Sequence, residues 1–374
     1  MHTKSYAKTN RRSVIAGNII DECVRSGQSG QTMGIPIGTD TSRIIAEIIG
    51  CSIDEALVTQ LRKEGIAIKG YRFVDDCHFF FHTQSDAEKA LMHFYRILSD
   101  LSLSINEEKT LLTRAPFQFD SNWSRQISGF VFRNSEIRYQ RLDIRHYFNL
   151  LIQLSKQFPN DSVIKYGIKR LKNLKINKAN WELFESILYS LCIAEGAILP
   201  DMLSILLQNK TDLDLSKLQS IIEALLNQHV YKGNHFEVAW SLWMARSFGI
   251  QVTNSVAQEI ADSKDIVSII ILLDLIDNKL VSGPVSTSAI AAEFRQEGLL
   301  NEYWMLVYEA NHKGWVASTV LSTVSFFQQI STLGISFYDN TRQVAFGSSN
   351  IWTGPGNTPK NAKPTTAKGD GFVY

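Results

Sequence analysis

An α+β fold is what this sequence specifies: a strand-and-helix part over residues 1–140, an all-α region over 141–345 and a tail over 346–374. Three observations carry that reading. Short β-branched and aromatic runs broken by turn residues cluster in the first part. Beyond Leu142 apolar residues recur at helical spacing in one segment after another. From Gly347 onward the chain is rich in Gly, Pro, Thr and Asn and too poor in large apolar side chains to order itself.

The elements follow in order. Residues 2–30 read as a basic helix, helical over Val14 to Val24, that ends in Ser26-Gly27-Gln28-Ser29-Gly30. Gly34, Pro36 and Gly38 make the next segment an irregular loop, and Thr39, Asp40 or Thr41 can cap the helix after it. That helix carries Ile44, Ile45, Ile48 and Ile49 as one stripe expected to be buried. Tyr71 to Phe81 reads as a hairpin with Asp75-Asp76 as its two-residue turn. Ser85-Asp86 then caps an amphipathic helix with Ala90, Leu91, Phe94, Ile97, Leu98 and Leu101 on its apolar side. A strand is expected at Ser102 to Ile105, and a second hairpin over Ile127 to Tyr139 turning at Arg133-Asn134-Ser135.

The helices expected beyond are Ile144 to Gln157, Trp181 to Ile193, Pro200 to Leu207, Leu218 to Leu226, Phe236 to Phe248, Ser255 to Ile260, Asp265 to Ile276, Thr287 to Phe294 and Asn301 to Ala310. Segments such as Val238-Ala239-Trp240-Ser241-Leu242-Trp243 are apolar on more than one side, as stacked helices require. The succession suggests a HEAT-like stack, without an exact repeat period, and a surface through which oligomers can form. Trp304, Tyr308, Trp315 and Phe337-Tyr338 are read as core aromatics before base-stacking ones.

Composition narrows the function. A net charge of +1 gives no global attraction to nucleic acid, so polynucleotide contact must come from local clusters. One is Lys4, Lys8, Arg11 and Arg12. The other is Lys165, Lys169, Arg170, Lys172, Lys175 and Lys178, a span with no acidic residue. Positive charge at helical spacing suffices to hold a phosphate backbone; a solvated helix face is the alternative for each. The four cysteines, Cys23, Cys51, Cys77 and Cys192, lack metal-ligand spacing, and core packing explains Cys77, His78 and His82 better than zinc. No leader or membrane-spanning run is visible, so a reduced, cytoplasmic protein without membrane contact is expected.

The chemistry concentrates at Asp75-Asp76. Two-residue hairpin turns favour Asn-Gly, Asp-Gly or Gly-Gly, and two adjacent carboxylates repel one another when both are ionised. A hard divalent cation removes that repulsion, and Mg²⁺ takes oxygen ligands while keeping water and phosphates in its shell. An ordinary acidic turn is the alternative that the flanking motifs weigh against.

Phe73-Val74-Asp75-Asp76 resembles motif C of the reverse transcriptase palm (aromatic-x-Asp-Asp). Gln31-Thr32-Met33-Gly34-Ile35-Pro36-Ile37-Gly38-Thr39-Asp40-Thr41-Ser42 resembles motif B, Asn106-Glu107-Glu108-Lys109-Thr110 resembles motif D, and Pro116 to Trp123 lies where motif E follows. The wording from Gly34 to Arg43 is closest to bacterial abortive-infection and defence-associated reverse transcriptases; Ile37 stands where retroviral and group II intron enzymes usually carry Gln. The resemblance implies a palm fragment, motifs B to E, followed by a helical region, and an RNA-directed DNA polymerase using Mg²⁺ or Mn²⁺, dNTPs and an RNA template or DNA product, with untemplated synthesis in antiphage defence as one form. It implies that Asp75 and Asp76 hold metal, Asp75 directly, and that Lys109 approaches the triphosphate, a plain surface lysine being its alternative. It implies that Gly34, Pro36, Gly38 and Phe73 lie against template and nucleotide, Phe73 having a core role as its alternative, and that Lys165, Lys169, Arg170 and Lys172 meet the backbone. The palm's third carboxylate, in motif A, precedes motif B, and Asp21 and Glu22 read as solvated helix residues. The sequence is therefore expected to be an N-terminally truncated frame or one half of a split protein, inactive alone; a non-catalytic remnant or partner-binding subunit is the other reading.

Overall fold

The computed structural model describes residues 15–28, 30–31, 34–116, 122–133 and 136–341. It divides into two compact units, Met1–Gln118 and Phe119–Tyr374, which places the division upstream of residue 140. Lys4, Lys8, Arg11 and Arg12, the turn residues Asn134 and Ser135, residues 117–121 and the tail over 346–374 lie outside the described residues.

In the first unit α1 (Ala16–Ser26) buries none of its residues. α2 (Asp40–Lys63) starts at Thr39, whose hydroxyl accepts from the Ser42 amide at 3.3 Å. Its buried stripe is Ile53, Leu57 and Leu61, not the expected Ile44 to Ile49; Ile44 and Ile48 are exposed. The reason is coverage: the buried half of α2 packs against α3 (Gln84–Asp100), where Leu57, Leu61, Ile66 and Ala90 form a small core with Phe79, Phe81, Phe94 and Ile97 around it. β1 (Lys69–Phe73) and β2 (Asp76–Phe80) form an antiparallel pair with Phe73 opposite Asp76. The Thr83 hydroxyl, accepting from the Asp86 amide at 3.1 Å, caps α3 two residues before the expected cap.

The strand expected at Ser102 to Ile105 does not form. Ser102 turns out of α3 with φ +60°, and the residues after it form no ladder. The Ser102 and Leu103 amides instead donate back to the Ser99 and Leu98 carbonyls at the end of α3. Among the described residues the sheet has two strands.

The second unit is helical, which corrects the hairpin expected over Ile127 to Tyr139. Its first part is α4 (Asn122–Ser128), where Ile127 is fully buried and Trp123 meets the Tyr166 ring edge-on at 5.4 Å. Phe130 and Phe132 do alternate, but both pack 5.0 Å from the Tyr147 ring instead of pairing with a strand. α5 (Ile137–Gln157) begins where the second strand was expected, and buries Ile144, Tyr147, Phe148, Leu151 and Leu154. It packs on α6 (Val163–Arg170) at Gly167, where a Cβ would stand 2.3 Å from a Leu151 methyl.

The later helices are α7 (Lys178–Ala194), α8 (Leu199–Gln208), α9 (Leu215–Val230), α10 (His235–Phe248), α11 (Asn254–Ala261), α12 (Ile266–Asp277), α13 (Ser288–Ala291), α14 (Gln296–Leu299), α15 (Trp304–His312) and α16 (Ser325–Thr332). α9 packs on α10, α10 on α12 and α12 on α15, so each helix contributes to a core shared with later ones. That core runs from Ile127 to Leu275. The helix expected over Thr287 to Phe294 is a single turn at α13. Tyr308 is fully buried, Trp304 packs on Phe327 and Phe337 and Trp315 on Tyr338, as core aromatics do, but Phe337 itself is exposed, against the core reading. No helix among the described residues is long and apolar enough to cross a membrane.

One half-exposed ion pair, with only its carboxylate buried, predicts the acid limb of stability. Arg133 donates to the Asp143 carboxylate through Nη2 at 2.5 Å and its amide at 2.8 Å, and these bonds hold the carboxyl below its ordinary value. A depressed folded-state pKa contributes stability above the unfolded value, and that stability is lost as pH falls through the folded one. Urea midpoints recorded from about pH 5 to about pH 2 should fall, and Asp143→Asn should lower the neutral midpoint and flatten that dependence.

Candidate active site

The hairpin turn is Val74-Asp75, one residue upstream of the expected pair, and Asp76 opens β2. Val74 has φ +59°. A left-handed conformation costs an L-residue roughly 1–2 kcal/mol, and for a β-branched side chain it is an outlier that surrounding contacts must hold.

Arg72 holds it. One guanidinium nitrogen donates to the Val74 carbonyl at 2.8 Å, and the fork reaches back to α2, to both Glu47 oxygens at 2.8 and 3.0 Å and to Asp54 at 2.9 Å. Its side chain is 10% exposed. The Glu47 and then the Asp54 hydrogen bonds raise the guanidinium's pKa well above its ordinary value, and the same contact lowers that of Glu47. Gly50 makes room, since a Cβ there would stand 2.5 Å from the guanidinium carbon. Sequence reasoning missed this residue, although one arginine inside an aromatic strand opposite a helical glycine was a visible signal. Arg72→Ala should free the turn: amide exchange protection across β1 and β2 should drop at least tenfold, while helices of the second unit keep theirs. Equal protection in both proteins would mean that the turn is held by other contacts.

Asp75 and Asp76 are both exposed, and neither carboxylate has a hydrogen-bond or ion-pair partner among the described residues. Beside them the Cys77 thiol is pushed up by burial, and next by the charges of Asp54, Asp76 and Asp75. The donor set is two consecutive hard oxygen ligands on a strained turn, which suits a divalent cation in part. Among the described residues no group of three His, Cys, Asp or Glu is placed to hold a metal.

Phe73 is 74% exposed, so its core alternative does not hold. His78 and His82 are exposed too, against the core reading, and His78 stacks on Tyr71 at 4.9 Å. Gly34 and Gly38 have φ +74° and +102°, conformations that glycine alone adopts readily, and with the exposed Pro36 they lead into α2. α2 thus joins that loop to the hairpin through Arg72. Lys109 is exposed on a separate short turn, Glu107–Lys109, where its amide donates to the Asn106 side chain at 3.3 Å.

In the second unit Lys165 and Lys169 are exposed on α6. Arg170 and Lys172 are committed internally: the Arg170 guanidinium donates to the carbonyls of Ile127 and Ser128, and Lys172 pairs with Asp201 at 2.6 Å. Lys178 lies 3.7 Å from Asp212. The run therefore does not present one continuous cationic face.

No family model matches the chain, and no curated protein does either.

Proposed function

We propose that the hairpin unit is the metal-holding part of a reverse transcriptase-like palm, and that the protein takes part in RNA-directed DNA synthesis of the kind used in antiphage defence. The observation that carries this reading is the unpartnered carboxylate pair on a strained turn, in a unit whose glycine loop and helix are tied to the same hairpin. Strain and unpaired like charges at one point are a cost that a structural turn does not need. A divalent cation bound there would activate a primer hydroxyl and neutralise the leaving pyrophosphate. Asp75 and Asp76 would supply oxygen ligands, the Gly34 to Gly38 loop would let template and nucleotide approach the backbone, and Lys109 would offer a cation to the triphosphate.

Two carboxylates form only part of such a cage, so synthesis should require a third acid from a further polypeptide segment. The test is incorporation of labelled dNTP with Mg²⁺ or Mn²⁺ by residues 1–374, alone and mixed with a separately produced polypeptide that carries a reverse transcriptase motif A strand. Activity only in the second case supports the reading. A metal-independent signal, or none in either case, counts against it. A second reading, a partner-binding subunit without chemistry, is favoured by the exposed Ile44, Ile48, Phe73 and Val74 of the same unit.

A further inference from the structure

We propose that α5 presents a nucleic-acid backbone site built from Arg138, Arg141, Arg145 and Lys156, a set distinct from the cationic run read in the sequence. Three arguments carry it. The first is geometry. At about 100° per residue these four side chains fall within a sector of about 60°, on an exposed side that adjoins the face burying Ile144, Tyr147, Phe148, Leu151 and Leu154. At about 1.5 Å per residue they extend along about 27 Å of helix, the length of about eight base-pair steps.

The second argument is charge. All four are exposed, and none has an ion pair or hydrogen bond among the described residues. The one acid within α5, Asp143, is buried and taken by Arg133. In a chain of net charge +1, whose other cations often stand beside acids, an uncompensated stripe is a local departure. Arg170 and Lys172, by contrast, hold the fold together.

The third argument separates nucleic acid from a lipid surface. A helix lying on a membrane needs its large apolar face free to enter the lipid, and that of α5 is in the protein core. Beside the stripe stand exposed Asn149, Leu142 and Gln153, with half-buried Ile152 inside its sector, too little free apolar surface to seat a helix in lipid. Tyr139 stands near the helix start with the Arg133 guanidinium 4.9 Å from its ring centre. Guanidinium forks match phosphate oxygens in pairs, and arginine makes up three of the four cations. Such a face holds a sugar-phosphate backbone without reading its sequence. It goes beyond the polymerase reading, because the stripe binds whether or not the hairpin is catalytic.

The test is fluorescence anisotropy of the full chain with two labelled duplexes of unrelated sequence and a labelled oligo(dT), between about 50 and about 200 mM salt. If all four cations meet phosphates, they contribute about 3.6 to the slope of log affinity against log salt, at about 0.9 per contact. The variant Arg138→Ala, Arg141→Ala, Arg145→Ala, Lys156→Ala should lose that part of the slope and bind both duplexes at least tenfold more weakly at the lowest salt. Arg→Lys at the three arginines, which keeps the charge, should retain the slope. Far-ultraviolet circular dichroism checks that the alanine variant is folded; if it is not, Arg141→Glu with Arg145→Glu replaces it and should lose about half the slope. Wild-type and variant slopes that agree, or sequence-dependent losses, would overturn the site. Binding and incorporation are read separately, so lost incorporation with intact binding bears on the hairpin alone.

Discussion

Replacing Asp75 and Asp76 together by Asn is expected to lower metal-dependent dNTP incorporation by about three orders of magnitude or more, in whichever form of the protein is active. Asn keeps the size of the side chain and suits a turn, so the hairpin, held by Arg72 from the α2 side, should persist. What is lost is charge. Neutralising a carboxylate pair removes both the attraction for a divalent cation and the geometry it imposes on phosphates, two effects that act together at one atom cluster. The companion measurement needs no activity: Mn²⁺ titration of the full chain followed by electron paramagnetic resonance should show a site in the wild type that is missing from the double variant. Incorporation and Mn²⁺ binding that survive the double substitution would leave the hairpin a purely structural turn.

The helical half was legible because its signal is local. α10 and α12 are apolar over most of their surfaces, and their bounds follow from periodicity and flanking polar residues. The hairpin was legible for the same reason, two aromatic runs with charge between them. Errors arose where a pattern fits two partners. Phe130 and Phe132 alternate as a strand does, yet their buried face is met by Tyr147 and not by a ladder. Ile44, Ile45, Ile48 and Ile49 form a helical stripe, but burial depends on what covers a stripe, and the hairpin unit covers the other end of α2. Likewise, the Lys165 to Lys178 run looked uniform because sequence shows charge and not partners; Asp201 lies too far along the chain from Lys172 to be read against it. Arg72 and the α5 arginines have the opposite history, since each is one charge among ordinary neighbours until the fold shows what surrounds it.

Asp274→Ala is expected to destabilise the helical unit by about 3–5 kcal/mol, the range for removing one partner of a buried charge cluster. In sequence Asp274 merely interrupts the apolar run of α12. In the fold it is fully buried and accepts four hydrogen bonds, from Arg246 Nε at 2.6 Å, the Tyr338 hydroxyl at 3.0 Å, Asn278 Nδ2 at 3.1 Å and Asn340 Nδ2 at 3.2 Å. Burial, and next the Asp274 charge, drive the Tyr338 phenol far above its ordinary pKa, so it stays a neutral donor. Deleting the carboxylate leaves the Arg246 cation without its counter-charge and the Tyr338 hydroxyl and Asn340 amide without this acceptor, while Asn278 keeps its bond to the Asp274 carbonyl, and buried unpaired polar groups are costly. The loss should reach the segment after α16 as well. Glu309, also fully buried, accepts from the Ser336 hydroxyl at 3.0 Å and from the amides of Phe337 and Tyr338, so two carboxylates together hold residues 336–340. Tyr338→Phe removes one donor and leaves the Arg246 pair, and should cost about 1 kcal/mol. At about 2–4 °C per kcal/mol for a unit of this size, Asp274→Ala should lower its thermal midpoint by about 6–20 °C and Tyr338→Phe by a few degrees. Equal midpoints for the wild type and Asp274→Ala would show that the cluster adds nothing net to stability and that water replaces the carboxylate at little cost.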